Sequence, residues 1–265
     1  MSILRFRLLG VPSMELDDKS VQPARRKTLA LLYYLAEHGT PLQRGPAAGL
    51  LWPEFSPEQA RANLRRTIQD ANEATQYRLF EPVRDVLRFS SLLTVEVDAL
   101  RFMELAARGL GRRLEEGFEE LLQAANLYMG DFLSGFYLRD ALEFEDWQLG
   151  QMDLYRQKVI TIMDKLVRGY RAEGRWNKAE ELAERMIRYA PLHDAGHRHI
   201  VEMLADRGET SAARTHYEVY TSVLAKELGA RPADSFTSLY EQLKKGMYVP
   251  MPQRLWPARL TPPHH

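Results

Sequence analysis

The sequence predicts a mainly α chain. An N-terminal unit of small antiparallel sheet, three helices and a β-hairpin is followed by an all-α, tetratricopeptide-like helical-repeat segment. Three observations predict this order. Apolar residues alternate with arginines over Ile3–Leu9, the two-residue period of a strand. The stretch LLWPEFSPEQARANLRRTIQ (Leu50–Gln69) stops one short helix at Trp52-Pro53 and starts another at Ser56-Pro57. From Asp98 onward helical periodicity dominates, and the second half matches itself at an offset of 34 residues.

Composition sets the bounds. A chain of 265 residues, 45% hydrophobic and 27% charged, has the balance of a globular protein with a buried core. It has no cysteine, which removes disulfides, thiol catalysis and zinc–thiolate sites. No apolar run reaches the length of a membrane span and no signal-peptide core is present, so a cytoplasmic, membrane-free protein is expected. The formal net charge is zero. Residues 1–96 hold 13 Lys+Arg against 11 Asp+Glu, leaving 23 against 25 for the remainder. Affinity for a polyanion must therefore come from a local basic patch.

In chain order, Leu4, Phe6 and Leu8 form the apolar face of the first strand. Met14–Leu16, the turn Asp17-Asp18 and Val21 make a hairpin. Helix one is expected over about Ala24–Glu37, with Leu29, Leu32, Tyr33 and Ala36 inward and His38-Gly39 closing it. Arg25, Arg26 and Lys27 fall at its start, where they serve either solubility or phosphate contact. Helix two, about Arg44–Leu51, carries Gly45, Pro46 and Gly49. It is a weak helix former, held by the packing of Leu50, Leu51 and Trp52.

Helix three is expected over Pro57 to about Tyr77. Its buried stripe is Ala60, Leu64, Ile68 and Ala71, and the opposite side carries Glu58, Ala62, Arg65, Arg66 and Gln69, with Arg61 on the flank. An alanine on that face permits close approach to a groove, and Arg and Gln can bond bidentately to guanine and adenine edges. The competing reading is an ordinary solvated basic helix. Val86–Phe89 and Leu92–Val97, flanking Ser90-Ser91, are expected to pair as a hairpin bearing Arg84 and Arg88. Strands, three helices and a hairpin make a winged helix, with the hairpin as its wing.

Downstream, helices are expected over Ala99–Arg108, Glu115–Met129 and Leu142–Arg171. In the 34-residue match, Gly174 recurs as Gly208, Ala179 as Ala213, Met186 as Tyr220 and Leu166 as Ile200. A glycine turn followed by a small residue suits antiparallel helices that pack closely, and Pro191 closes one unit. Such repeats bind proteins far more often than they catalyse. The domains are expected at 1–97, 98–246 and a Pro-rich tail, 247–265.

Other constellations read as structural. His193 and His197 sit four apart, with His199 nearby, but no third ligand stands at metal spacing, so no metal or other cofactor is expected. Glu143, Glu145 and Asp146 read as a solvated helix face, and Met103, Met152, Met163 and Met186 as core filling. No phosphate loop, dinucleotide turn or hydrolase motif occurs, and no enzyme is expected.

These residues together resemble the SARP-type bacterial transcriptional activators, in which an OmpR-like winged helix precedes a bacterial transcriptional activator domain. The resemblance is carried by Leu4–Gly10, Arg26–Leu35, Leu50–Pro53, Ala60–Arg65 and Val97–Phe102. It continues through Leu127–Leu133, Ala195–His197 and Glu227–Gly229 with Pro232, and covers about residues 3–245. It implies a sequence-specific activator that binds direct repeats near promoters, commonly as a homodimer, and contacts RNA polymerase. Two departures stand out: helix two opens Arg44-Gly45-Pro46-Ala47 where a polar cap is usual, and helix three carries Ala71-Asn72-Glu73 where the family often has Leu-Arg.

The expected ligand is double-stranded DNA. Arg61, Arg65, Arg66 and Gln69 are assigned to the major groove, with Asn63 on the flank. Arg25, Arg26, Lys27 and Arg44 are assigned to the backbone, and Arg84 and Arg88 to a neighbouring phosphate or minor groove. Two arginine–base contacts of about 1–3 kcal/mol each discriminate only modestly, so a homodimer on repeated half-sites is expected. The alternative is a protein-interaction adaptor whose winged helix no longer reads DNA.

Overall fold

A computed structural model describes residues 2–250 of the chain. The expected tail falls largely outside them, including Trp256 and the terminal His264-His265. Contacts divide the described residues into two compact units, one of 2–108 with 123–157 and the other of 109–122 with 158–250.

The first unit begins with strands β1 (Ser2–Arg7), β2 (Ser13–Leu16) and β3 (Lys19–Ser20). β1 and β2 pair antiparallel, Leu4 opposite Leu16 and Phe6 opposite Met14, and β3 continues the meander. The β2–β3 turn uses Asp17 and Asp18 at φ 49° and 61°, the left-handed conformation that short polar side chains tolerate. Leu4, Phe6 and Leu8 are fully buried, as the alternation predicted. Helix α1 (Arg26–His38) is buried on several sides and ends at Gly39, φ 67°, as expected from the closing glycine. Strand β4 (Leu42–Gln43) leads into α2 (Arg44–Leu51), which occupies the predicted residues; Ala47, Ala48, Leu51 and Trp52 hold it in the core. Helix α3 spans Pro57–Thr75.

The strands after α3 correct the expected hairpin. β5 (Val86–Leu87) pairs with β4, whereas β6 (Leu93–Val97) lies parallel to β1, with Leu4 opposite Val95 and Phe6 opposite Val97. Val86–Phe89 and Leu92–Val97 are therefore not partners, and the sheet is mixed, in the order β3-β2-β1-β6. Burial explains the choice. Leu87 is fully buried beside Leu42, and Leu93 and Val97 are drawn onto the sheet that holds Leu4 and Phe6. An antiparallel ribbon does form nearby: Glu81 N–H donates to Arg88 O (3.1 Å) and Ser90 N–H to Leu79 O (2.7 Å), with Phe80 stacked on Phe89.

Helices α4 (Asp98–Leu110), α5 (Leu114–Leu127) and α6 (Leu142–Ala172) each contribute residues to both units. In the first unit the Asp98 carboxylate accepts from the backbone N–H groups of Leu8, Leu9 and Ala99 at 2.7–3.0 Å, capping α4 and finishing β1 at once. Burial still pushes its carboxyl above the usual range, against those bonds. Residues 132–155 share this unit's core through aromatic contacts. Tyr33 meets Phe136, Tyr34 meets Trp147, and Phe132 stacks on Tyr155.

In the second unit, α7 (Trp176–Tyr189), α8 (Asp194–Asp206), α9 (Thr210–Leu228) and α10 (Asp234–Lys244) follow the last part of α6. The 34-residue period is visible in the hydrogen bonds. Arg175 N–H donates to Tyr170 O (2.8 Å) where Glu209 N–H donates to Leu204 O (2.9 Å), and Gly174 and Gly208 both sit in the left-handed region, at φ 71° and 80°. Ala179 and Ala213 are fully buried behind these turns, and Met186 and Tyr220 are buried further along. Leu166 is buried while its counterpart Ile200 is half-buried, with Val201 taking the inner place.

Arg171, almost fully buried, pairs with Glu202 and with Asp206, the latter at 2.7 Å. His193 caps α8, His197 meets His216 at 3.0 Å and His199 meets Asp164 at 2.8 Å, so the three histidines have three separate sets of partners.

Candidate nucleic-acid interface

Helix α3 is fixed at both ends. At its start the Ser56 hydroxyl accepts from Gln59 N–H (3.3 Å) and the Gln59 side chain accepts from Ser56 N–H (3.2 Å), a reciprocal cap with Pro57 at the first position. At its end Gln76 turns left-handed, φ 52°, and Asn72 Oδ1 accepts from Leu79 N–H at 2.8 Å. Asn72, in the turn that departs from the family pattern, thus fastens the exit of α3.

The buried stripe is Ala60, Leu64, Thr67 and Ala71. Thr67 takes the inner place expected of Ile68, which is only half-buried. Spacings of 4, 3 and 4 follow the helix more closely than 4, 4 and 3 from the same start. Arg61, Arg65 and Arg66 are exposed, and among the described residues none of their guanidinium groups has a hydrogen bond or ion pair within the chain. Ala62 and Asn63 are half-buried beside them. Gln69 is exposed but donates to Glu73 at 2.8 Å, so its amide is already oriented along the helix.

The other predicted cations fall into two groups. Arg84 and Arg88 are exposed around the ribbon after α3. Arg88 lies near Glu81, whose carboxyl is held below its usual range by hydrogen bonds from Ser91 and, to a smaller degree, by Arg88 and Arg78. The cations around α1 and α2 are more engaged. Arg25 stands 3.8 Å from Asp70, which also accepts a short hydrogen bond from the buried Thr28 hydroxyl. Arg26 Nε donates to Tyr137 O (2.9 Å), with its guanidinium over the Phe136 ring. Lys27 pairs with Asp140 at 2.7 Å and donates to Leu51 O at 2.8 Å. Arg44 Nε donates to Val86 O at 3.3 Å.

Partners such as Asp140 and Tyr137 were not expected from sequence. They lie more than 100 residues from Arg26 and Lys27, and no local spacing signals them. The acidic residues Glu143 and Glu145 sit in the first turn of α6, where its dipole favours them.

A capped helix set after two other helices and a strand meander, with a β-ribbon behind it, makes a winged helix; helical repeats follow it. Residues 97–244 match the family described as bacterial transcriptional activator domain. The match spans more than half of the chain, which therefore belongs to that family, as a transcriptional regulator of the SARP type. Among solved structures the chain is similar to Mycobacterium tuberculosis EmbR in complex with low affinity phosphopeptide. The identity is 19% over 94% of this chain and 67% of that one, with a TM-score of 0.72, which is a likeness of fold. No curated protein sequence matched. No helix among the described residues is long and apolar enough to cross a membrane.

Proposed function

We propose that the chain is a sequence-specific DNA-binding activator that reads double-stranded DNA with the exposed face of α3. The observation that carries this reading is the trio Arg61, Arg65 and Arg66, solvent-facing on a doubly fixed helix and without internal partners among the described residues. Unpaired guanidiniums on a rigid support bond bidentately to guanine edges with little ordering cost. Asn63 supports them from the flank. Arg84 and Arg88 reach the adjacent backbone or minor groove. Arg25 and Arg26 supply phosphate contacts, and Lys27 and Arg44 mainly brace the framework.

A monomer with so few base contacts discriminates modestly, so the chain acts as a homodimer on direct repeats. The helical repeats then offer the surface for RNA polymerase, consistent with membership of an activator family and with the usual role of such repeats in protein contact. The experiment is a genomic footprint of the full chain followed by in vitro transcription from the bound promoters. Direct repeats spaced by whole turns of DNA, with transcription raised on addition of the chain, support the reading. A chain that occupies no DNA is the adaptor instead, and the proposal falls.

A further inference from the structure

Beside the face of α3 lies a cleft of about 990 Å³ that no sequence motif marks. One wall comes from α1 and α3, with Arg25, Arg26, Lys27 and Arg66. The other is the segment 135–140, which belongs to the activator-domain match and not to the winged helix. Five cations line it, the fifth being Arg139, against the two carboxylates Asp140 and Glu145. The excess of three positive charges stands out in a chain whose formal net charge is zero. Asp140 is taken up by Lys27, and Arg26 is fixed by the Tyr137 carbonyl. That leaves Arg139 and Arg66, both exposed and without an ion pair among the described residues, with Arg25 only loosely engaged at 3.8 Å from Asp70. Tyr137, a residue 65% exposed, adds a hydroxyl and a ring to the lining.

We infer that this cleft is a phosphate clamp for the DNA strand flanking the groove read by α3, with Arg139 and Tyr137 of the activator segment completing it. The inference rests on the proposed reading of α3. Two features favour duplex DNA as the occupant. The cleft is continuous with the reading face, because Arg66 and Asn63 line it while belonging to α3. Its free groups are also guanidiniums and a hydroxyl, the donors that hold phosphodiester oxygens without reading bases. The hydrogen bond from Arg26 to the Tyr137 carbonyl fixes the segment in place, so the clamp requires little ordering on binding.

The test uses the full chain and a DNA fragment recovered from its own footprint. Binding is measured across a salt series for wild type, Arg139→Ala, Arg139→Lys and Arg65→Ala. Loss of one phosphate contact lowers the slope of log K against log salt by about one unit. Arg139→Ala is expected to show that change and to bind about tenfold more weakly at low salt, while its preference for the site over scrambled DNA is retained. Arg139→Lys, which keeps the charge, retains most of the slope. An unchanged slope in Arg139→Ala, alongside loss of site preference in Arg65→Ala, overturns the clamp and leaves the reading of α3 standing. A wild-type chain that binds no DNA overturns both.

Discussion

The Lys27 ammonium lies 2.7 Å from the Asp140 carboxylate and 2.8 Å from the Leu51 carbonyl oxygen. A residue at the start of α1 thereby joins the last carbonyl of α2 to a carboxylate 113 positions further along. The lysine is only 19% exposed along its side chain and also stands over the Trp52 ring at 5.4 Å. Its charge is satisfied inside the first unit. Lys27→Ala is expected to lower stability by about 1–2 kcal/mol, through the lost charge-assisted bonds at a helix C-terminus. The salt dependence of DNA binding should stay near wild type. Chemical denaturation with parallel binding curves checks both, and a drop in salt slope as large as that of Arg65→Ala would return Lys27 to the DNA-contacting set.

The cap of α3 makes a second prediction. Ser56→Ala removes the acceptor for Gln59 N–H and is expected to cost about 1 kcal/mol, read as a lower thermal midpoint. Ser56→Gly should cost only a few tenths of a kcal/mol. Equal losses for the two would mean that the hydroxyl contributes nothing.

Glycines in helices separate by their surroundings. A Cβ on Gly117 would meet Gly109 O at 2.5 Å, backbone against backbone, whereas one on Gly150 meets nothing within 4 Å. Gly117→Ala is expected to destabilise, because overpacking of about 1–3 kcal/mol exceeds a gain in helix propensity of up to about 1 kcal/mol. Gly150→Ala keeps only the gain and should stabilise by about 0.5–1 kcal/mol. Urea midpoints of the two variants should move in opposite directions.

Acid sensitivity centres on Glu202. Burial alone would raise its carboxyl, but the His199 ring, with Nδ1 3.7 Å from the carboxylate, and the charge of Arg171 outweigh that and hold it at about 2, below the ordinary 4.5. A lowered folded-state value means stability that is present above about pH 4.5 and is lost as pH falls towards 2. Between pH 6 and pH 3 the wild type should lose about 2 kcal/mol more than Glu202→Gln, read from denaturant midpoints at both values. Parallel losses in the two proteins would show that the carboxylate gains nothing from its neighbours.

Much of the architecture is legible in sequence because it is local. Ser56-Pro57 marks the start of α3, Gly39 marks the end of α1, and Gly174 and Gly208 give the repeat its period. The family match over residues 97–244 agrees with the segments quoted for the resemblance from Val97 onward. The misread elements are those decided by distant partners. Leu92–Val97 looked ready to pair with Val86–Phe89, but nothing within ten residues reveals that β1 offers a buried parallel edge about ninety positions earlier. Ile68 is the more apolar residue, yet Thr67 lies at the angle that faces the core. The candidate site divides in the same way: the exposed face with Arg61, Arg65 and Arg66 follows from helical geometry, whereas the engagement of Lys27 by Asp140 and the nearness of Arg139 to α3 arise only when the chain is folded.

Whether the exposed arginines of α3 read base edges is decided at Arg65. Equilibrium binding of the full chain to a promoter fragment is measured at two salt concentrations for wild type and Arg65→Ala, each against scrambled DNA. Arg65→Ala is expected to lose about 1–3 kcal/mol of affinity for the promoter and most of its preference over scrambled sequence. Strong wild-type binding left unchanged by Arg65→Ala, in both affinity and preference, would contradict it.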